Sequence, residues 1–162
     1  MRRTIRALVS SVACLGLACL LTGAVSALSD PQVGVWKLNV AKSKYSPGPG
    51  PTTATTTIEA AGAGARVVVD QVMADGSKRH WEFTATYDGK ESPVTGNNPD
   101  ADTVSRTRID ANTISTVSKK GGKVTTTQTS AVSKDGKTRT VTTKGTNALG
   151  QPVNTVAVYE KQ

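Results

Sequence analysis

Turn-forming sequences recur about every dozen residues along this chain, and they constrain its fold more than any other feature. They fall at Gly62-Ala63-Gly64, Asp75-Gly76, Asp88-Gly89, Asn97 to Asp102, Asp110-Ala111-Asn112, Gly121-Gly122, Asp135-Gly136 and Asn147 to Gly150. Asp-Gly and Gly-Gly pairs suit tight hairpin turns, which need a positive φ. Between them lie short runs rich in Thr and Val, residues that fit a pleated, half-buried surface. Short strands separated by regular turns define an all-β sandwich or barrel.

The first residues stand apart from this pattern. Arg2, Arg3 and Arg6 precede an apolar stretch from Ala7 to Ala24, and Val25-Ser26-Ala27 supplies small residues before the polar Ser29-Asp30-Pro31. A basic region, an apolar run and small residues at the cleavage positions make a secretory signal peptide, read here as residues 1–27. An uncleaved membrane anchor is the competing reading, because the apolar run is long enough to span a bilayer. Both cysteines, Cys14 and Cys19, lie in this run, and neither sits in a good lipid-attachment context. Cleavage after Ala27 leaves a chain with no disulfide, no thiol nucleophile and no thiolate metal ligand. The expected location is the bacterial periplasm or the exterior. Residues 28–33 are read as a short linker and 34–162 as one β-barrel domain.

The formal charge is +8; three of the arginines lie in the leader, which leaves +5 for the rest. The cations cluster beside turns, at Lys78, Lys90, Lys119, Lys120, Lys123, Lys134 and Lys137. Solubility and protection of exposed strand edges is the preferred reading, with attraction to anionic lipid or polysaccharide as the sharper one. No aromatic and basic interleaving suggests nucleic-acid binding. Membrane contact is expected only through an uncleaved leader.

The predicted strands are Gly34–Leu38, Thr53–Ala60, Ala65–Met73, Lys78–Tyr87, Glu91–Val94, Thr103–Ile109, Thr113–Lys119, Lys123–Ser133, Lys137–Lys144 and Val153–Glu160. Asn39 to Tyr45 is read as one helical turn. Ser46-Pro47-Gly48-Pro49-Gly50-Pro51 is read as a loop over a barrel mouth or a spacer, because its prolines and glycines break regular structure. Short connections make each strand pair antiparallel with the next. An up-and-down meander this long removes its edges by closing, so the expected architecture is a barrel of about 8–10 strands. Val67 and Val69 share a face with Gln71, and Trp81, Phe83 and Ala85 share another. Val124 and Val132 share a face with Thr126, Gln128 and Ser130. Threonine is read first as solvent-facing filler, with a semi-polar lining as the alternative.

Two segments carry a family resemblance. Gly34-Val35-Trp36-Lys37-Leu38 resembles the Gly-x-Trp opening strand of lipocalins and fatty-acid-binding proteins, the calycin families. Val156-Ala157-Val158-Tyr159-Glu160-Lys161 resembles the closing strand of the fatty-acid-binding family, which commonly ends in Tyr-Glu-Lys. The resemblance implies an antiparallel barrel able to enclose a ligand. It implies that Trp36 is a structural anchor across one barrel end, with Arg139 as its late-strand partner. The chain departs from the family in three ways. Ala157 stands where a ligand-holding arginine precedes the closing tyrosine. The interval from Asn39 to Thr52 is too short for the two helices after the first strand. No lipocalin-type helix follows the last strand.

Candidate sites are few. His80 is the only histidine and reads as a surface residue or cross-strand partner; a zinc site lacks its usual ligands. Asp100 and Asp102, near Asn97 and Asn98, read as turn chemistry before calcium ligands. No serine elbow, glycosidase-like carboxylate pair or phosphate loop is evident, so no enzyme, metal or cofactor is expected. Arg106 and Arg108 share a face with Val104, and a solvent-facing placement is preferred. Facing inward, they would suit an anionic amphiphile. Arg106, Arg108, Arg139 and Tyr159 are therefore the candidate ligand contacts. The expected function is non-enzymatic binding of a small hydrophobic or amphipathic molecule. The alternative is an envelope structural or interaction protein with a solidly packed barrel.

Overall fold

The protein is described by a computed structural model covering residues 30–162. The expected leader, with Cys14 and Cys19, lies outside the described residues. Eleven strands follow one another without a helix among the described residues. They are β1 (Gly34–Lys44), β2 (Pro51–Ala61), β3 (Gly64–Met73), β4 (Lys78–Thr86), β5 (Asp88–Pro93), β6 (Thr95–Gly96), β7 (Thr103–Arg108), β8 (Thr113–Lys120), β9 (Lys123–Val132), β10 (Thr138–Thr146) and β11 (Pro152–Lys161). They form one antiparallel sheet in the order β5-β7-β8-β9-β10-β11-β1-β2-β3-β4-β6. This is an up-and-down meander curled into a nearly closed barrel, as the turn pattern predicts and compatible with the calycin barrels that the two end motifs resemble. The first and last strands pair across Trp36↔Lys161 and Leu38↔Tyr159.

The barrel closes at a seam rather than by a complete ladder. Successive strands are expected to pair, but β4 and β5 do not. The chain reverses at Asp88-Gly89, where Gly89 holds φ at 81°, and the two arms then part. β5 pairs with β7 from Asp88↔Thr107 to Pro93↔Thr103, and β6 rejoins β4 at Glu82↔Thr95 and Trp81↔Gly96. The expected short strand at Glu91–Val94 corresponds to β5, which begins earlier at Asp88, and β6 is an additional two-residue strand.

The interior is semi-polar. Trp36, Leu38, Ile58, Val67, Val69, Ile114 and Val141 are buried, and so are Thr56, Thr116, Ser118, Thr126, Ser130 and Thr155. The reading of threonine as outer filler holds at positions such as Thr53, Thr84, Thr127 and Thr129, which are exposed, while the buried threonines give the semi-polar lining read as the alternative. So few large apolar residues cannot fill a barrel, and β-branched threonine packs inward; the hydroxyls of Thr125 and Thr155 donate to the carbonyls of Asp100 and Ser46.

Two further expectations are corrected. Asn39 to Tyr45 is not helical, because β1 continues to Lys44 and pairs with β11 at Lys44↔Val156. Ser43 Oγ donates to the Asn39 carbonyl at 2.7 Å and accepts the Val158 N–H at 2.9 Å, so side-chain bonds bridge an irregular stretch of strand. Val124 does not face the interior with Thr126. A bulge shifts the register between Ser118↔Thr126 and Lys119↔Val124, turning both Thr125 and Thr126 inward and leaving Val124 60 % exposed. Gly145 makes room for it, since a Cβ there would lie 2.2 Å from the Thr125 carbonyl oxygen.

One end of the barrel is packed shut. Residues 30–33, part of the stretch read as a linker, form a turn across it, and Gln32 is fully buried. Gln32 Nε2 donates to the carbonyls of Asn112 (2.7 Å) and Ser130 (3.1 Å). Its Oε1 accepts the Ser130 hydroxyl at 2.9 Å, and its carbonyl accepts Trp36 Nε1–H at 2.8 Å. Replacing Trp36 by Ala removes both the largest buried side chain and this tie. We predict a loss of about 3–5 kcal/mol, measurable as a lowered urea midpoint.

Candidate functional site

The opposite end is open and holds a cavity of about 410 Å³. Its wall is made of inward side chains from both halves of the sheet, among them Trp81, Gln128, Thr143, Thr155, Ala157 and Tyr159. The segment Ser46 to Pro51 lies along the rim, which matches its reading as a loop over the mouth. Burial, together with Tyr159, raises the pKa of Tyr45 beside it, so both phenols remain neutral hydrogen-bonding groups. A second concavity of about 430 Å³ involves Thr53, Asp70, Lys78 and His80. Those four side chains are exposed and line the outside of the sheet, so it is a surface groove rather than an interior site. His80 is a cross-strand partner there, with Nδ1 2.7 Å from Asp70 Oδ1.

The sheet register connects the cavity wall to a buried cation. Thr155 pairs with Thr143, Thr143 with Gln128, Gln128 with Thr116, and Thr116 with Arg106. Side chains directly opposite one another on adjacent strands are neighbours on one face. A polar row therefore runs down the interior from three cavity-lining residues to Arg106.

Arg106 faces inward and is 2 % exposed, which corrects the preferred solvent-facing placement. Val104 on the same face is also buried. The guanidinium lies over Tyr87 and Phe83, at 5.1 and 5.8 Å from the ring centres. Its Nε and Nη1 are buried with no hydrogen-bond partner on the protein. Burial lowers its pKa, with Tyr87 and Asp30 acting in the opposite sense. Two buried donor nitrogens without a protein partner cost about 1–3 kcal/mol each, while each aromatic contact returns about 0.5–2 kcal/mol. The two terms are of similar size, so the buried guanidinium contributes little to holding the barrel together.

The other sequence candidates divide clearly. Arg139 is buried, and its Nε donates to Ser130 Oγ at 2.7 Å. It lies 5.5 Å from the Tyr159 ring, and burial pulls its pKa down to about 10. The cation over Trp36 is Lys161, at 5.1 Å, not the expected Arg139. Trp36 itself sits in the core, consistent with its reading as an anchor. Tyr159 lines the cavity floor. Arg108 belongs to the closed end: it pairs with Asp30, donates to the Ala111 carbonyl at 3.2 Å and lies 4.2 Å from the Tyr87 ring. Asp100 and Asp102 brace loops, their carboxylates accepting the amides of Ala148 (2.9 Å) and Gly121 (2.8 Å). Sequence reasoning missed Phe83 and Tyr87 as partners of Arg106. The Trp81/Phe83/Ala85 alternation put Phe83 on an apolar strand face, but nothing in the sequence placed Tyr87 at the seam.

No family model, curated protein or solved structure matches the chain. The site is therefore read from its own geometry.

Asp30 gives the closed end a pH dependence. Burial pushes its carboxyl up, but the Gln32 amide, Arg108 and Tyr87 outweigh this and hold it below its ordinary value of 3.8. A lowered folded-state pKa stabilises the protein above the ordinary value, and the contribution is lost as pH falls below it. Urea unfolding should show the wild-type advantage over Asp30→Asn shrinking as pH drops below 3.8.

Proposed function

We propose that the protein is an exported, non-enzymatic binder of a small amphipathic molecule. The apolar part occupies the mouth cavity, and an anionic group reaches along the polar row to Arg106. The observation that carries this reading is the pair of unpartnered, buried nitrogens on Arg106. A carboxylate, sulfonate or phosphate would satisfy both through charge-assisted hydrogen bonds. The cavity volume falls in the range used by small-molecule sites. Arg139 and Tyr159 form the polar base beside the cavity, whereas Arg108, tied to Asp30, stabilises the closed end.

A second reading, a structural or interaction protein with a packed barrel, draws support from the solid lower half around Trp36, Ile58 and Ile114. Fluorescent probes separate the two. Anilinonaphthalene sulfonate carries an anion on an apolar body, and phenylnaphthylamine is a neutral analogue. Both should bind the wild type. Arg106→Met should retain phenylnaphthylamine and bind the sulfonate roughly tenfold to a hundredfold more weakly, the effect of losing a hydrogen bond to a charged group. The same variant should unfold at an equal or higher urea concentration, because it removes unsatisfied donors. Failure of either probe to bind the wild type would favour the packed-barrel reading.

A further inference from the structure

The rim of the mouth carries exposed apolar groups as well as lysines. Leu149 is 83 % exposed, the highest value among the large hydrophobic residues of the described chain, and Val124 is 60 % exposed, a value matched at the closed end by Ile109. Both are held in place. Val124 is turned outward by the bulge at Thr125. Leu149 sits on a turn built by Asn147, whose Oδ1 accepts the amides of Leu149 (3.1 Å) and Gln151 (2.9 Å). Asp100 ties the two positions together. Its carbonyl accepts the hydroxyl of Thr125, next to Val124, at 2.7 Å, and its carboxylate accepts the amide of Ala148, next to Leu149.

Charge follows the same rim. The strand directions place Lys44, Lys78, Lys120, Lys123 and Lys144 at the open end, and all five are exposed. None is in an ion pair among the described residues, whereas Lys119 pairs with Glu91. The nearby carboxylates of Asp75, Asp100 and Asp102 accept backbone amides of their own loops or neighbouring turns. The open end therefore offers two fixed apolar tips among five exposed lysines, which outnumber the three nearby carboxylates.

We infer that the open end docks on an anionic lipid surface, with Leu149 and Val124 entering the headgroup region and the rim lysines facing the lipid phosphates. The charge complementarity is direct. Apolar insertion and electrostatic attraction add in interfacial binding, and each lysine near an anionic surface strengthens it roughly fivefold. Leu149 also lines the cavity, so docking in this orientation turns the mouth toward the lipid. This surface is separate from the uncleaved leader through which membrane contact is otherwise expected. The inference does not require the cavity to hold a ligand.

Vesicle flotation with the chain from residue 28 onward, which lacks the leader, tests it. The wild type should float with vesicles of phosphatidylcholine and phosphatidylglycerol, not with phosphatidylcholine alone, and should be released by salt. The triple variant Lys120→Glu/Lys123→Glu/Lys144→Glu should lose flotation. The pair Leu149→Ser/Val124→Ser should weaken it at least several-fold. Lys134→Glu/Lys137→Glu at the closed end should leave it unchanged, and thermal melts should report intact folds throughout. No flotation of the wild type would overturn the inference, as would equal loss in the closed-end control. Binding to dextran sulfate as tight as to vesicles, with Leu149→Ser/Val124→Ser unaffected, would also overturn it in favour of polyanion attraction alone.

Discussion

The barrel depends on how its closed end is satisfied. A chain with six aromatic residues cannot plug a barrel with rings alone, so it uses hydrogen bonds. Gln32 spends both ends of its amide and its own carbonyl on Asn112, Ser130 and Trp36, and Ser130 in turn receives Arg139. One residue of the opening turn thus links β1 and β9 directly, and β10 through Ser130. A buried polar network is worth keeping only when nearly every member is paired, and this one is. Asp30 extends it outward to Tyr87 and Arg108.

That completeness gives Arg106 its meaning. Arg139 and Arg106 are both buried in the same lumen, but Arg139 is tied to Ser130 through Nε while the Nε and Nη1 of Arg106 have no partner. A buried cation with two unpaired nitrogens, at the end of a polar row leading from a cavity, is what supports the proposed ligand site. The seam between β4 and β5 contributes to this, because the parting of the two arms places Phe83 and Tyr87 against the guanidinium.

Much of the fold was legible in the turns. Every connection after Thr53 carries Gly, Asn or Asp where the chain reverses, and the Gly-x-Trp and Tyr-Glu-Lys ends correctly placed β1 beside β11. Departures came where side chains override a simple count. Ser43 replaces a ladder contact and keeps β1 extended where a helical turn was expected. The bulge at Thr125 reverses the facing of Val124, and period-two reasoning cannot locate a bulge. Threonine was the hardest to place, because its shape favours strands on either face. The inward orientation of Arg106 followed from Val104 on the same strand face, yet a charged residue argues for solvent until its aromatic neighbours are known. The cavity itself has no sequence signal; it is the space left by Thr143, Thr155 and Ala157 where larger residues would have filled it.

The central claim is that Arg106 receives the anionic group of an amphiphile. Arginine side-chain Nε–H resonances, assigned by single substitutions, report this directly. Adding decyl sulfonate should move the Arg106 resonance markedly, decanol should not, and Arg108 should stay in place because Asp30 already holds it. A shift confined to Arg108, or no shift at Arg106 when the sulfonate binds, would contradict the account.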